Sequence, residues 1–283
     1  MHEPAIHQQP RLWLLAGTGD GLRLALELRR RGWRLLVCVV SAEAALAYPA
    51  SADLELRVGA IEGAAGIRSV LEQARRGGAP FTAVVDASHP FARQITAALA
   101  DVWEAPGLPP LLRLRRPDPG PGTGDRLQVL PDLEALAELP LHGCRLLLAI
   151  GARQLGQAVV RSPGAVHHAR LLPNAAALQQ GQAAGLAPER LACLRPGDTQ
   201  EHAVLRALLG RWRIEAILCR QSGGLTEQLW RRLASELNLE LLLLARPPEP
   251  AGLRQLQLQP LLEALEALHP APTLPGCGKP PAP

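Results

Sequence analysis

The chain has 283 residues and a formal charge of +4, from 30 basic and 26 acidic side chains, and is 47% hydrophobic. That balance excludes a disordered or fibrous chain, and a small positive charge spread along the sequence excludes a dedicated nucleic-acid binder, which needs a basic patch or run. No apolar stretch approaches 18 residues and residues 1–10 lack a basic-then-apolar leader, so neither a membrane span nor an export signal is expected.

In chain order, residues 1–10 read as a tail. An apolar run at 12–16 reads as a strand, followed by a glycine turn and an amphipathic helix over 22–31, whose closing Arg29-Arg30-Arg31 suits a helix C-terminus. Strands follow at 34–40, 54–58, 82–86 and 110–114, with helices over 63–76 and 91–103. Residues 117–125 are rich in Pro and Gly and read as a linker. Beyond it the alternation restarts, with strands at 127–130, 145–150, 190–194, 216–220 and 240–245. Helices are expected near 132–138 and over 174–184, 200–209 and 226–237, then a last one within 253–268 before a Pro-rich end. Alternating β and α elements imply parallel sheets covered on both faces. The expected fold is therefore α/β, with two Rossmann-like or flavodoxin-like parallel-sheet domains and a cleft between them. Their expected extents are 11–116 and 126–250, with 251–283 as a C-terminal helix and tail.

The cysteines Cys38, Cys144, Cys193, Cys219 and Cys277 form no CxxC pair, so neither a disulfide framework nor a zinc site is expected, and buried thiols in a reducing cytoplasm fit best. His167-His168 lacks acidic or cysteine partners at ligand spacing, and no metal is expected.

Three segments could carry chemistry. Gly17-Thr18-Gly19-Asp20-Gly21 lies between a strand and a helix, where backbone N–H groups and the helix N-terminus favour a phosphate. Its spacing is G-x-G-x-G and not the usual G-x-G-x-x-G. After the second strand, Ser41-Ala42-Glu43 leaves the cofactor choice open: Glu43 suits a free ribose, Ser41 is compatible with a 2′-phosphate, and Ser41 also reads as a helix cap. Asp86-Ala87-Ser88-His89-Pro90-Phe91-Ala92 sits at the carboxyl end of a strand, where ligands of open parallel sheets bind; Ser88 alternatively caps the helix that Pro90 can start. Gln221-Ser222-Gly223-Gly224-Leu225-Thr226 repeats that placement in the second half, with Ser222 or Thr226 alternatively a cap.

Taken together, the glycine turn, Arg57-Val58-Gly59, the Asp86 to Ala92 segment, Ser222-Gly223-Gly224 and the closing Arg246-Pro247 resemble the precorrin-6A reductases of cobalamin biosynthesis, over about 11–248. The resemblance implies a two-domain reductase in which NADPH reduces one double bond of the tetrapyrrole precorrin-6A or cobalt-precorrin-6A to the 6B form. It implies that Gly17, Thr18, Gly19 and Asp20 shape the cofactor turn, with Ser88 and Pro90 also by the cofactor; Ser41, by its place after the second strand, is a further cofactor candidate. Asp86 and His89 become the candidate catalytic pair, and Ser222, Gly223 and Gly224 meet the substrate from the second domain.

Three departures from the family pattern stand out. Ser41-Ala42-Glu43 replaces an arginine after strand two, Gly151-Ala152-Arg153 displaces an arginine by one position, and Gln221 replaces an asparagine. Lys279 is the sole lysine, and codon usage explains most of that bias. A substrate with many carboxylate arms also needs cationic forks, for which Arg113, Arg116 and Arg153 are the candidates, with Arg115 and Arg220 nearby. The alternatives are another NAD(P)-dependent oxidoreductase of Rossmann type, or a nucleotide-sensing module without catalysis.

Overall fold

The computed structural model describes residues 9–17, 19–118, 120, 126–195 and 200–268. Thr18, most of the predicted linker and the Pro-rich end lie outside the described residues. The chain divides into two units, one comprising the described parts of Met1–Arg115 and Pro248–Pro283, the other Arg116–Pro247.

The first unit is built on a six-stranded parallel sheet. Its elements are β1 (Arg11–Ala16), α1 (Gly19–Arg30), β2 (Arg34–Val39), α2 (Ala42–Ala45), β3 (Leu54–Val58), α3 (Gly63–Arg76), β4 (Ala83–Ala87), α4 (Arg93–Val102) and β5 (Leu111–Leu114). Strand β1 is apolar at every position from Leu12 to Ala16 because both faces are covered. Leu12, Leu14 and Ala16 join Leu24, Ala25 and Leu28 of α1 on one face, while Trp13 and Leu15 join Ile67 and Val70 of α3 and Leu99 of α4 on the other. Each such leucine, fully removed from water, contributes roughly 1.5–3 kcal/mol before entropy is counted. The arginine cluster closing α1 is spent internally. Arg29 binds Asp53 at 2.9 Å and holds its carboxyl below the usual range, and Arg31 binds Glu27.

The second unit contains β6 (Leu127–Leu130), β7 (Arg145–Ala149), α5 (Leu155–Arg161), β8 (Val166–Leu171), α6 (Ala175–Ala183), β9 (Leu191–Cys193), α7 (Glu201–Trp212), β10 (Ala216–Arg220), α8 (Leu225–Glu236) and β11 (Glu240–Leu244). The helix expected near 132–138 is a short 3-10 turn, Glu134–Glu138. Strand β8 and helix α5 are absent from the sequence reading. The polar run His167-His168-Ala169-Arg170 conceals a strand flanked by β7 and β9. His168 packs on the Trp212 ring and Arg170 pairs with Glu201 at 2.8 Å, so the polar groups are buried with partners.

After Pro247 the chain returns to the first unit, adding β12 (Arg254–Leu256) to the free edge of β5 and α9 (Leu258–Leu268) to the face already covered by α1. The single helix expected within 253–268 is thus a strand followed by a helix, because β5 offers unpaired backbone groups that residues 254–256 satisfy. The sheet orders are β12-β5-β4-β1-β2-β3 and β6-β11-β10-β7-β8-β9. Each reads 3-2-1-4-5-6 in Rossmann fashion, with the sixth place filled by the last strand of the chain in one unit and by the first strand after the linker in the other.

Burial makes the second unit sensitive to acid. Ser162 Oγ donates to the Ala158 carbonyl at 2.7 Å and so accepts from His167 Nε2 at 2.8 Å, which sets a neutral Nε2–H ring. His167 and His168 are both pushed below the ordinary 6.5, chiefly by burial, with Arg190 adding repulsion. The unfolded chain therefore takes up protons that the folded chain refuses. Their contribution is fully present above about pH 6.5 and is lost as pH falls through the lower folded values. Urea midpoints are expected to fall from about pH 7.5 to about pH 5.5, and His167→Gln, which keeps a donor for Ser162, is expected to flatten part of that fall; identical slopes in both proteins overturn the assignment.

Candidate functional site

In the first unit the sheet order reverses direction at β1 and β4, and parallel sheets bind ligands in the crevice that opens at such a point. Ala16 is in register with Ala87, so the turn starting at Gly17 and the turn starting at Ser88 leave the sheet side by side. The structure thus brings two of the predicted motifs to one crevice.

Gly21 explains the form of the first turn. A Cβ there would lie 2.6 Å from Ala16 Cβ and 3.2 Å from the Tyr48 hydroxyl, so only glycine lets α1 start this close to β1. Among the described residues, chain neighbours and the helix's own backbone aside, no atom lies within 4 Å of where a Cβ would be at Gly17 or Gly19, which leaves an open side for close approach of a ligand. These residues fit the pyrophosphate of a dinucleotide: close helix–strand packing below, open backbone above, and the N-terminus of a 12-residue helix behind. Asp20 lies in the first turn of α1. Ser41 caps α2, accepting the Ala44 N–H at 3.2 Å, and keeps its own O–H proton to donate. Glu43 is exposed in the first turn of that helix.

The second turn hangs from Asp86, which is 1% exposed. One carboxylate oxygen accepts the Ser88 N–H at 2.9 Å, and the other accepts Thr96 Oγ1 at 3.1 Å and Arg113 Nη1 at 2.5 Å. Arg113 is in turn held by Glu249, 2.6 Å from its Nε. One expectation changes here. Arg113 is buried with its fork filled by protein carboxylates, so it fastens Asp86 and is not a cation offered to substrate. Asp86 is enclosed by these partners and shapes the turn.

Ser88 Oγ is screened from solvent and has no hydrogen-bond partner among the described residues. It does not cap α4, whose N-cap is Ala92 with no side-chain bond. Pro90 lies in the turn before Arg93 and does not open the helix, because His89 and Ala92 close a backbone bond of 2.8 Å first. His89 Nδ1 accepts the Phe91 N–H at 3.2 Å, which puts the proton of the neutral ring on Nε2.

The second unit has its own reversal at β7 and β10. Gly151, Ala152 and Arg153 follow the first of these, and Ser222, Gly223 and Gly224 the second. Arg153 is exposed. Beside it Arg220 is bound by Gln154 Oε1 at 2.6 and 3.1 Å, and burial, then the nearness of Arg153, push the Arg220 guanidinium down. Arg116 is buried against the Ser222 carbonyl, 3.5 Å away, so it supports that loop. Gly224 is the N-cap of α8 without a side-chain bond, and neither Ser222 nor Thr226 takes that role. The buried Glu227 carboxylate accepts the Gly223 N–H at 2.6 Å.

Sequence reasoning missed Thr96, Glu249 and Glu227. Only Glu227 left a signal, an acid three residues past the helix cap.

The family described as precorrin-6x reductase CbiJ/CobK matches residues 11–268. A cobalt-precorrin-6A reductase from Synechocystis sp. is 33% identical over 246 residues, covering 85% of this chain and 90% of that protein. A precorrin-6A reductase from Mycobacterium tuberculosis is 32% identical over 245 residues, covering 86% and 91%. The solved structure of CobK precorrin-6A reductase superposes with a TM-score of 0.72 at 27% identity, covering 93% of this chain and 98% of that one. With its two parallel-sheet units and this family matched across nearly all the described residues, the chain belongs to the precorrin-6x reductases.

Proposed function

We propose that the chain reduces one ring double bond of precorrin-6A or cobalt-precorrin-6A, with NADPH seated on the β1–α1 turn, in cobalamin biosynthesis. The observation that carries this reading is the meeting of the Gly17 turn and the Ser88 turn at one sheet reversal, in a family of reductases. A bound reduced nicotinamide supplies the hydride.

The chain's residues do the rest. Backbone N–H groups at Gly17 and Gly19 hold the phosphates, Thr18 and Asp20 complete the turn, and Ser41 offers a hydroxyl to the nucleotide end. Ser88 Oγ, buried without a partner among the described residues, donates to or accepts from the cofactor or the substrate. Pro90 stiffens the turn, and Asp86 positions it through the Ser88 N–H. His89 relays a solvent proton to the carbon next to the one that takes the hydride: the ring gives up its Nε2 proton as Nδ1 takes one from water, and it ends neutral. Ser222, Gly223, Gly224 and Arg153 bind the carboxylate arms, with Arg116 holding the Ser222 loop in place.

Anaerobic incubation with precorrin-6A and with cobalt-precorrin-6A, each with NADPH or NADH, tests the proposal. Consumption of NADPH with an altered tetrapyrrole spectrum in at least one arm is expected, and NADPH binding without consumption in either arm favours a sensing module and overturns the assignment.

A further inference from the structure

We propose that Tyr48 is a cofactor-binding residue whose hydroxyl donates a hydrogen bond to an oxygen of the bound dinucleotide at the start of α1. This rests on the reading of the β1–α1 turn as the cofactor's seat.

Tyr48 is the sole tyrosine of the chain and follows α2, with its ring in the core between α1 and the sheet. The residue is only 8% exposed, yet its hydroxyl makes no hydrogen bond among the described residues. The ring is buried, whereas the hydroxyl oxygen is not one of the enclosed unpartnered atoms (Ser88 Oγ, Arg170 Nε and Trp230 Nε1), so the polar tip stays open to a ligand at this turn. The oxygen is directed at the cofactor turn: it lies 3.2 Å from where a Gly21 Cβ would be, next to Ala16 at the end of β1. The absence of a side chain at Gly21 therefore admits both the close approach of α1 and the tyrosine oxygen. Burial pushes the hydroxyl up to about 12, so it stays a neutral donor throughout the range in which an enzyme works.

The test uses Tyr48→Phe, which keeps the ring and removes only the oxygen. Binding of NADPH and of ADP, followed calorimetrically, is expected to weaken about tenfold in the variant, the order expected for one hydrogen bond to a charged group. The unliganded variant should melt at or above the wild-type temperature, because no protein contact is lost; a merely structural hydroxyl would give a lower melting temperature and unchanged affinity. The wild-type chain labelled at tyrosine Cζ gives one carbon resonance, which should move when NADP⁺ is added. Equal affinities, or a resonance that stays still while NADP⁺ binds, overturn the role of Tyr48 alone. Failure of the wild-type chain to bind NADPH overturns the cofactor reading and this inference with it.

Discussion

Arg113→Met is expected to destabilise the first unit by about 3–5 kcal/mol and to remove most of the reductase activity. The guanidinium is 3% exposed and stands between Asp86, itself 1% exposed, and Glu249. Methionine fills similar space but leaves two carboxylates with no counter-charge, one of them deep in the unit. Removing one member of a buried pair is far more harmful than removing both, since the cost lies in the uncompensated charge. The double variant Arg113→Met with Asp86→Asn should therefore regain much of the lost stability: the amide still accepts the Ser88 N–H, and Glu249 is exposed enough to turn to water. Hydrogen exchange on peptides spanning β4 and β5 reads the effect locally. Protection in the single variant within about 1 kcal/mol of wild type overturns the role given to this pair.

This pair also marks where the sequence stops being informative. The alternating apolar runs foretold nearly every strand of both sheets, because parallel strands covered on both faces must be apolar where they are buried, as Leu12–Ala16 of β1 and Leu241–Leu244 of β11 are. The two turns of the candidate site were legible for a related reason. Glycines after β1, and a Ser-His-Pro segment after β4, fall at strand ends, and strand ends are where such sheets bind ligands.

What stayed hidden depends on distant partners. Arg113 read as a cation for substrate because its nearest carboxylate, Asp86, is 27 positions away and Glu249 is 136 away. Strand β8 was invisible because His168 packs on Trp212 and Arg170 pairs with Glu201, both on α7. The return of β12 to β5 was equally out of reach, as no local pattern says which sheet a three-residue strand joins.

Gly223→Ala is expected to cost the second unit about 2–5 kcal/mol, from two causes that add. The backbone at Gly223 is left-handed, with φ of 66°, which penalises any Cβ by about 1–2 kcal/mol. Overpacking contributes about 1–3 kcal/mol more. The new methyl would lie well under 3.0 Å from both the Pro117 carbonyl oxygen and Arg246 Nη2, and 3.0 Å from Arg116 Cβ. None of these can withdraw cheaply. Arg246 spreads its guanidinium over the carbonyls of Gln221, Arg116 and Pro117 at 2.9, 3.0 and 2.6 Å, and these bonds tie the loop after β10 to the chain entering the unit. The Gly223 N–H is pinned from the other side by Glu227, which also binds Arg231 at 2.7 Å. Gly156, a helical position in α5 where no atom of the other described residues, its own helix backbone aside, lies within 4 Å of a Cβ, is the control: alanine there should be neutral or stabilising. The kinetic expectation is equally specific. If the Ser222 to Gly224 loop grips the tetrapyrrole and the β1–α1 turn seats NADPH, as proposed, Gly223→Ala raises KM for the tetrapyrrole while NADPH affinity stays at the wild-type value. A variant that folds with unchanged stability, or that loses NADPH affinity in step with substrate affinity, overturns this role for the loop.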